Sequence, residues 1–274
     1  MTTLAPGELA LRLDHATQLA AYAVERTRMG APAGQVRLKG RADWVTDADL
    51  DIEQQVRAVL GEKFPSDAVV GEELPNRPVP PGSAVWYVDP VDGTTNFAHG
   101  LRSCSFSLAL ADGAGLALGV VAEPWSGETF TAVRGQGAWA NGRRLSCMPG
   151  AVLEGALVLT ELKGPAPWTG MTALVERLGE TGCATRILGS CALSLANVAA
   201  GRAAGLVLGA AHPIDIAAGA LLVREAGGVV MVGSGVDRVL GPDDLGEHPA
   251  LVAAAPGLLP ALLAALGRGP WPVA

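Results

Sequence analysis

Two short apolar runs in the first third of the chain each end in acids. Ala68-Val69-Val70 runs into Gly71-Glu72-Glu73, and Ala84-Val85-Trp86-Tyr87-Val88 runs into Asp89-Pro90-Val91-Asp92-Gly93. Runs of this length and character read as strands. A strand that finishes in carboxylates delivers them to the edge of a sheet, where α/β proteins usually place their sites.

The second run carries the sharper signal. Asp89 and Asp92 sit three residues apart on a turn stiffened by Pro90, and they converge only if that turn holds them together. Gly93 lets the backbone approach a ligand closely, and Thr94 adds a hydroxyl. A helix beginning here would aim its free N–H groups at an anion such as phosphate. Carboxylates together with a backbone carbonyl are the ligand set of a hard cation, Mg²⁺ above all. Taken alone, the stretch also reads as an ordinary Asp-Gly turn with solvated acids. Glu72 and Glu73 alone read as a solvated strand end. Asp215, in His212-Pro213-Ile214-Asp215-Ile216, alone reads as a helix N-cap.

The rest of the chain alternates helix-like and strand-like segments. Residues from about Gly7 to Met29 read as a helix. A second starts near Thr46, where Thr46 and Asp49 have capping-box spacing and Ile52, Val56, Val59 and Leu60 form a stripe. Phe106–Ala111, Leu116–Ala122 and Thr129–Val133 read as strands. Cys147–Gly155 reads as a join, dividing the chain into halves 1–146 and 147–274. Beyond it, strands are expected at Ala156–Thr160, Thr185–Leu188, Val229–Val232 and Leu251–Ala254. Helices are expected at Thr172–Glu180, Ala192–Ala200, Ile216–Ala226 and about Leu258–Leu266. This is the pattern of a mixed α/β protein.

Composition excludes several classes. The 274 residues are 49% hydrophobic and 17% charged, which is not a disordered chain. A net charge of −7 argues against a nucleic-acid partner. The four cysteines form no CxxC pair, as suits free thiols in a reducing compartment. Glu8, Arg12 and Asp14 interrupt any signal peptide. Pro249, Pro256 and Pro260 break the charge-free stretch from His248 to Gly267, so no membrane span is expected. A cytoplasmic location follows as the expectation.

Taken together these residues resemble the inositol monophosphatase family, within the lithium-sensitive, metal-dependent phosphatase superfamily. The matching segments are Asp43–Asp49, Gly71-Glu72-Glu73, Asp89–Phe97, Gly135–Trp139 with Asn141-Gly142, Arg186 with Gly189-Ser190, and Asp215–Gly219 with Glu225–Gly228. They run in the family's order from residue 39 to about residue 230. The resemblance implies a layered αβαβα sandwich of the inositol monophosphatase and fructose-1,6-bisphosphatase type, an α+β half followed by an α/β half, with the site between them. It implies two or three Mg²⁺ ions. Glu72, Asp89 and the Val91 carbonyl would hold one, Asp89, Asp92 and Asp215 a second, and Glu72 would help with a third. Asp49 and Thr94 would orient and deprotonate the attacking water. Asp49 is preferred to Asp47 because the family pattern is Val-Thr-x-x-Asp. The amides of Gly93 and Thr94 would hold phosphate, and Lys39 is a weaker match to a lysine near the site. A homodimer is implied as well.

The chain departs from the family on the substrate side. Ala203 replaces an Asp, Leu208 replaces a Glu that contacts sugar hydroxyls, Ile214 replaces a Trp, and Arg102 stands where Pro is common. A site built for a polyol should not present Leu in place of an acceptor. The expected activity is therefore Mg²⁺-dependent hydrolysis of a small-metabolite phosphate ester, a sugar, cyclitol or related intermediate other than myo-inositol phosphate. Ser190, Leu208 and His212 are the expected substrate-side residues. Histidinol phosphate and nucleotide 3′-phosphates are alternative substrates, and a non-catalytic regulatory or binding homologue is the alternative of another class.

Overall fold

The structure, a computed structural model, describes residues 3–30, 36–40, 43–150, 152–162, 164–233, 238–239 and 246–267. In chain order the elements are α1 (Pro6–Arg28), β1 (Val36–Gly40), β2 (Asp43–Thr46), α2 (Asp47–Lys63), β3 (Ala68–Gly71), β4 (Val85–Asp92), α3 (Thr94–Ala98), β5 (Ser105–Asp112), β6 (Gly115–Glu123), β7 (Glu128–Val133), β8 (Gly137–Ala140) and β9 (Arg143–Arg144). Then come β10 (Leu157–Thr160), α4 (Met171–Glu180), β11 (Ala184–Arg186), α5 (Cys191–Ala199), β12 (Gly205–Leu208), α6 (Pro213–Glu225), β13 (Val229–Val232), β14 (Arg238–Val239), β15 (Leu251–Ala254) and α7 (Leu259–Leu266).

Strands β3 to β9 form a seven-stranded sheet in sequence order, and β11-β10-β12-β15-β13-β14 form a six-stranded one. Helices α1 and α2 cover one face of the larger sheet, and α6 crosses the other. α5 and α6 pack on each other and also touch strands of the smaller sheet, whose far side meets α4 and α7. The layers therefore run αβαβα. β5 and β6, buried along their whole length, read as near-continuous apolar runs because helices cover both faces. No helix among the described residues is long and apolar enough to cross a membrane.

The approach of α6 to the large sheet is close enough to require glycine. A Cβ on Gly119 of β6 would lie 2.8 Å from the Ala218 carbonyl oxygen and 3.0 Å from its Cα. These are backbone atoms and cannot swing aside. Gly119→Ala is expected to cost about 1–3 kcal/mol, read as a lower denaturation midpoint at unchanged m-value.

Several local details differ from the sequence reading. Asp89–Asp92 is the end of β4 rather than a free turn. Its pairing with β5 slips between Asp89↔Ser107 and Asp92↔Ser105, so Pro90 and Val91 oppose Phe106 alone. Pro90 has no N–H for the ladder, and a bulge there re-aims the acids that flank it. The β1–β2 hairpin, β8, β9, β12 and β14 have no counterpart among the expected elements. β11 stops at Arg186, short of the expected Leu188.

Candidate active site

The parallel pairing of β3 and β4 sets Gly71 beside Val88, so the next residues, Glu72 and Asp89, leave adjacent strand ends together. The turn carrying Glu72 is clamped from below. Glu53 of α2 is buried, and its carboxylate accepts from the Glu73 amide at 2.7 Å and the Leu74 amide at 3.2 Å. A Cβ on Gly71 would lie 2.3 Å from a Glu53 carboxylate oxygen. Asn76 brackets Gly71 on the other side, with two backbone hydrogen bonds of 2.8 Å.

Asp89 is 3% exposed, and its Oδ1 accepts from the Val91 amide at 3.0 Å. Gly93 then takes φ +97° to start α3, and a Cβ there would lie 2.8 Å from the Gly189 carbonyl oxygen. This is a left-handed position with no room for a side chain. Thr94 Oγ1 lies 3.2 Å from Asp49 Oδ1 and 2.9 Å from the Val91 carbonyl oxygen. Asp49 is fully buried. It completes the capping box of α2 by accepting from the Thr46 amide at 2.9 Å and from the Thr46 hydroxyl. Burial outweighs these bonds and pushes its carboxyl up to about 6.

Asp92 sits at the N-terminus of α5. Its Oδ2 accepts from Ser190 Oγ at 2.5 Å and the Ala192 amide at 2.7 Å, and its Oδ1 from the Cys191 amide at 3.2 Å. Burial still pushes it up to about 7. Asp215 is carried by α6. The helix is capped at His212, so Asp215 lies three residues inside the helix rather than at its N-cap.

Glu72, Asp89, Val91, Asp92, Gly93, Thr94 and Asp215 border one cavity of about 430 Å³, together with Trp44, Glu161 and Cys191. Burial, and then the charges of Glu72, Asp92 and Asp215, hold Asp89 well above the usual carboxylate range. Glu72 is raised by burial, against the pull of Lys39. Lys39 reaches Glu72 at 3.4 Å and Glu73 at 2.8 Å. No Lys, Arg or His borders the cavity among its described lining residues. The carboxylates share the cavity without closing round one point as a finished ligand cluster, among the described residues. A group of carboxylates and a backbone carbonyl bordering one cavity fits hard divalent cations.

The expected substrate-side residues do not line this cavity. Leu208 is 2% exposed at the end of β12, within the main core. Its side chain packs among the apolar residues of that core. Ser190 is 1% exposed. It caps α5, accepting from the Leu193 amide at 3.3 Å, and donates to Asp92. These bonds make it a support for Asp92. His212 pairs with Glu247 at 2.9 Å, outside the cavity.

Sequence reasoning missed Glu53 and Glu161. Glu161 follows the apolar run Leu157–Thr160, so it repeats the strand-then-acid pattern that singles out Glu72 and Asp89. Glu53 lies four residues after Asp49 on the buried side of α2, where a lone acid among Ile52, Val56 and Leu60 is the available signal.

The chain is similar in sequence and fold to known proteins. The profile of the inositol monophosphatase family matches residues 9–268. The fructose-1,6-bisphosphatase/inositol-1-monophosphatase of Thermotoga maritima is 38% identical over 196 residues, covering 72% of this chain and 74% of that protein. The Nus factor SuhB of Escherichia coli K12 is 37% identical over 194 residues, covering 70% and 73%. The crystal structure of the extragenic suppressor protein SuhB from Bartonella henselae superposes with a TM-score of 0.85 at 31% identity, over 94% of this chain and 99% of that one. With the fold, the order of the motifs and the profile in agreement, the chain belongs to the inositol monophosphatase family.

Proposed function

We propose that this protein is a Mg²⁺-dependent phosphomonoesterase that hydrolyses a small-metabolite phosphate ester by direct attack of water. The observation that carries the reading is the acid-lined cavity bordered by Thr94, whose hydroxyl lies 3.2 Å from buried Asp49. Glu72, Asp89 and the Val91 carbonyl would hold one ion, and Asp89, Asp92 and Asp215 a second, with Glu72 available to a third. Bound Mg²⁺ would offset the charge of the phosphate dianion and acidify water.

The chain's own residues supply the proton path. Thr94 Oγ1 borders the cavity and lies 3.2 Å from Asp49 Oδ1. Thr94 takes the proton of the attacking water as it passes its own to Asp49. Burial brings Asp49 up to about 6, close to the working range of a general base at neutral pH. Gly93 and Thr94 border the same cavity, and their amides are the phosphate donors of this proposal. No Ser or Cys nucleophile is needed, so no phosphoenzyme forms.

The substrate side favours an ester poor in hydroxyls over myo-inositol phosphate. Glu161 is the carboxylate of the cavity lining that is assigned no ion, and both its oxygens accept from internal donors. A polyol would find few acceptors there. Histidinol phosphate and nucleotide 3′-phosphates remain within this reading. A cytoplasmic homodimer belongs to the same proposal. A purely regulatory homologue would be expected to lack a ligand or the water-activating pair, and this chain keeps all of them.

The test is phosphate release from a panel of small esters with and without Mg²⁺. Strongest release on one ester other than inositol 1-phosphate supports the proposal, and no release on any ester defeats it. Asp49→Asn is expected to lower kcat by about 10²–10⁴-fold with little change in KM. A loss confined to KM would remove Asp49 from the role of base.

A further inference from the structure

Glu161 is 3% exposed, and it stands at the end of β10, between its parallel neighbours β11 and β12. Its Oε1 accepts from the Leu188 amide at 3.2 Å and from Ser194 Oγ at 2.6 Å, and its Oε2 accepts from the Gly189 amide at 2.7 Å. All three donors belong to the turn between β11 and α5 or to the first turns of α5. The far side of the same turn grips the catalytic half. The Leu188 carbonyl accepts from Asn96 Nδ2 at 2.7 Å and Ser103 Oγ at 2.8 Å. Ser190, Cys191 and Ala192 donate to Asp92. Gly189 leaves no slack, because a Cβ there would lie 2.5 Å from Asn96 Nδ2.

We propose that Glu161 is a positioning residue, which anchors the 188–192 turn and through it holds Asp92 and the cavity wall formed by Gly189 and Cys191. Hydrogen bonds to an ionised acceptor are stronger than neutral ones, and a buried amide that loses its acceptor costs free energy. Glutamine fills the same volume but must turn an N–H toward one of the three donors. The link to metal binding rests on the ligand role proposed above for Asp92, whereas the anchoring of the turn does not.

The test compares wild-type protein with Glu161→Gln and Ser194→Ala by hydrogen exchange and by Mn²⁺ titration calorimetry. Glu161→Gln is expected to speed exchange of the 188–192 amides by about tenfold or more, with β5 and β6 unchanged. Mn²⁺ affinity should fall by a similar factor. Ser194→Ala, which removes one donor and keeps the carboxylate, should give the same pattern at about threefold, and it carries the test if Glu161→Gln does not fold. Unchanged protection of the turn overturns the anchoring. Faster exchange at unchanged Mn²⁺ affinity reduces Glu161 to a structural residue and overturns its role at the site. A wild-type protein that binds no Mn²⁺ defeats the metal reading instead, and the exchange result then decides the anchoring alone.

Discussion

Asp89→Asn is expected to cut Mg²⁺-dependent phosphate release by at least about 10³-fold, on the order of 4 kcal/mol of barrier, and to make the metal-free protein more stable. The two effects have opposite signs because they draw on the same charge. Asp89 is the carboxylate assigned to both ions, so its loss empties two coordination positions at once. Without metal, that charge is buried and faces Glu72, Asp92 and Asp215, and like charges in a poorly solvated site repel. Asparagine keeps the shape, and its Oδ1 can still accept from the Val91 amide, which Asp89 now binds at 3.0 Å. The local turn therefore survives. Phosphate release and metal-free thermal unfolding measure the two arms. Activity within tenfold of wild type would remove Asp89 from the metal set. A large fall in melting temperature would make it a structural residue.

The parts of this site that are legible in the sequence are those whose signal is local. The acids at the ends of β3 and β4 follow from apolar runs that stop at carboxylates. The capping box of α2 follows from the spacing of Thr46 and Asp49, and the structure shows both of its hydrogen bonds. What sequence does not carry is the partner each group finds across the fold. Ser190 and Asp92 are far apart in the chain, so the bond that turns Ser190 into a support for Asp92 leaves no local trace. Leu208 occupies the position of a substrate-binding Glu in the family pattern, but a matched position does not give the direction of a side chain. All four residues of β12 are buried within the six-stranded sheet, and Leu208 is part of the core there. Glu161 is a different case. Its signal is the same as that of Glu72 and Asp89, but it lies between the Asn141-Gly142 and Arg186 segments, outside every motif that carries the family resemblance. Asp215 reads as a cap because helix starts favour Asp, whereas His212 holds the cap position and Pro213 begins the helix, as suits proline in a first turn.

Metal-free protein should lose stability as pH rises from about 4 to about 7, and Mg²⁺ should remove or reverse that slope. Burial pushes Asp49 up to about 6 and Glu73, Asp92 and Glu161 up to about 7. In the unfolded chain such groups titrate near 4. Between these values the folded state binds more protons than the unfolded state, so its stability falls with rising pH. A tenfold difference in proton affinity between the folded and unfolded chain corresponds to about 1.4 kcal/mol. For Glu161, raised from 4.5 to about 7, the contribution is on the order of 3 kcal/mol at most. Two other acids work the opposite way, in a different window. Arg202 holds Glu128 below the usual range. At Asp112, burial is outweighed by the bonds from Arg134, Leu4 and Ala114. Their contribution is lost only as pH falls below about 4. Mg²⁺ binds the deprotonated ligands, so its stabilisation, which grows with the ratio of free ion to dissociation constant, should be small at about pH 5 and large at about pH 8. Melting temperatures across this range, with and without saturating Mg²⁺, read both slopes. A metal-free melting temperature that climbs through the window would show that the buried acids are already ionised and compensated. An Mg²⁺ effect equal at both ends would show that the ion binds away from them.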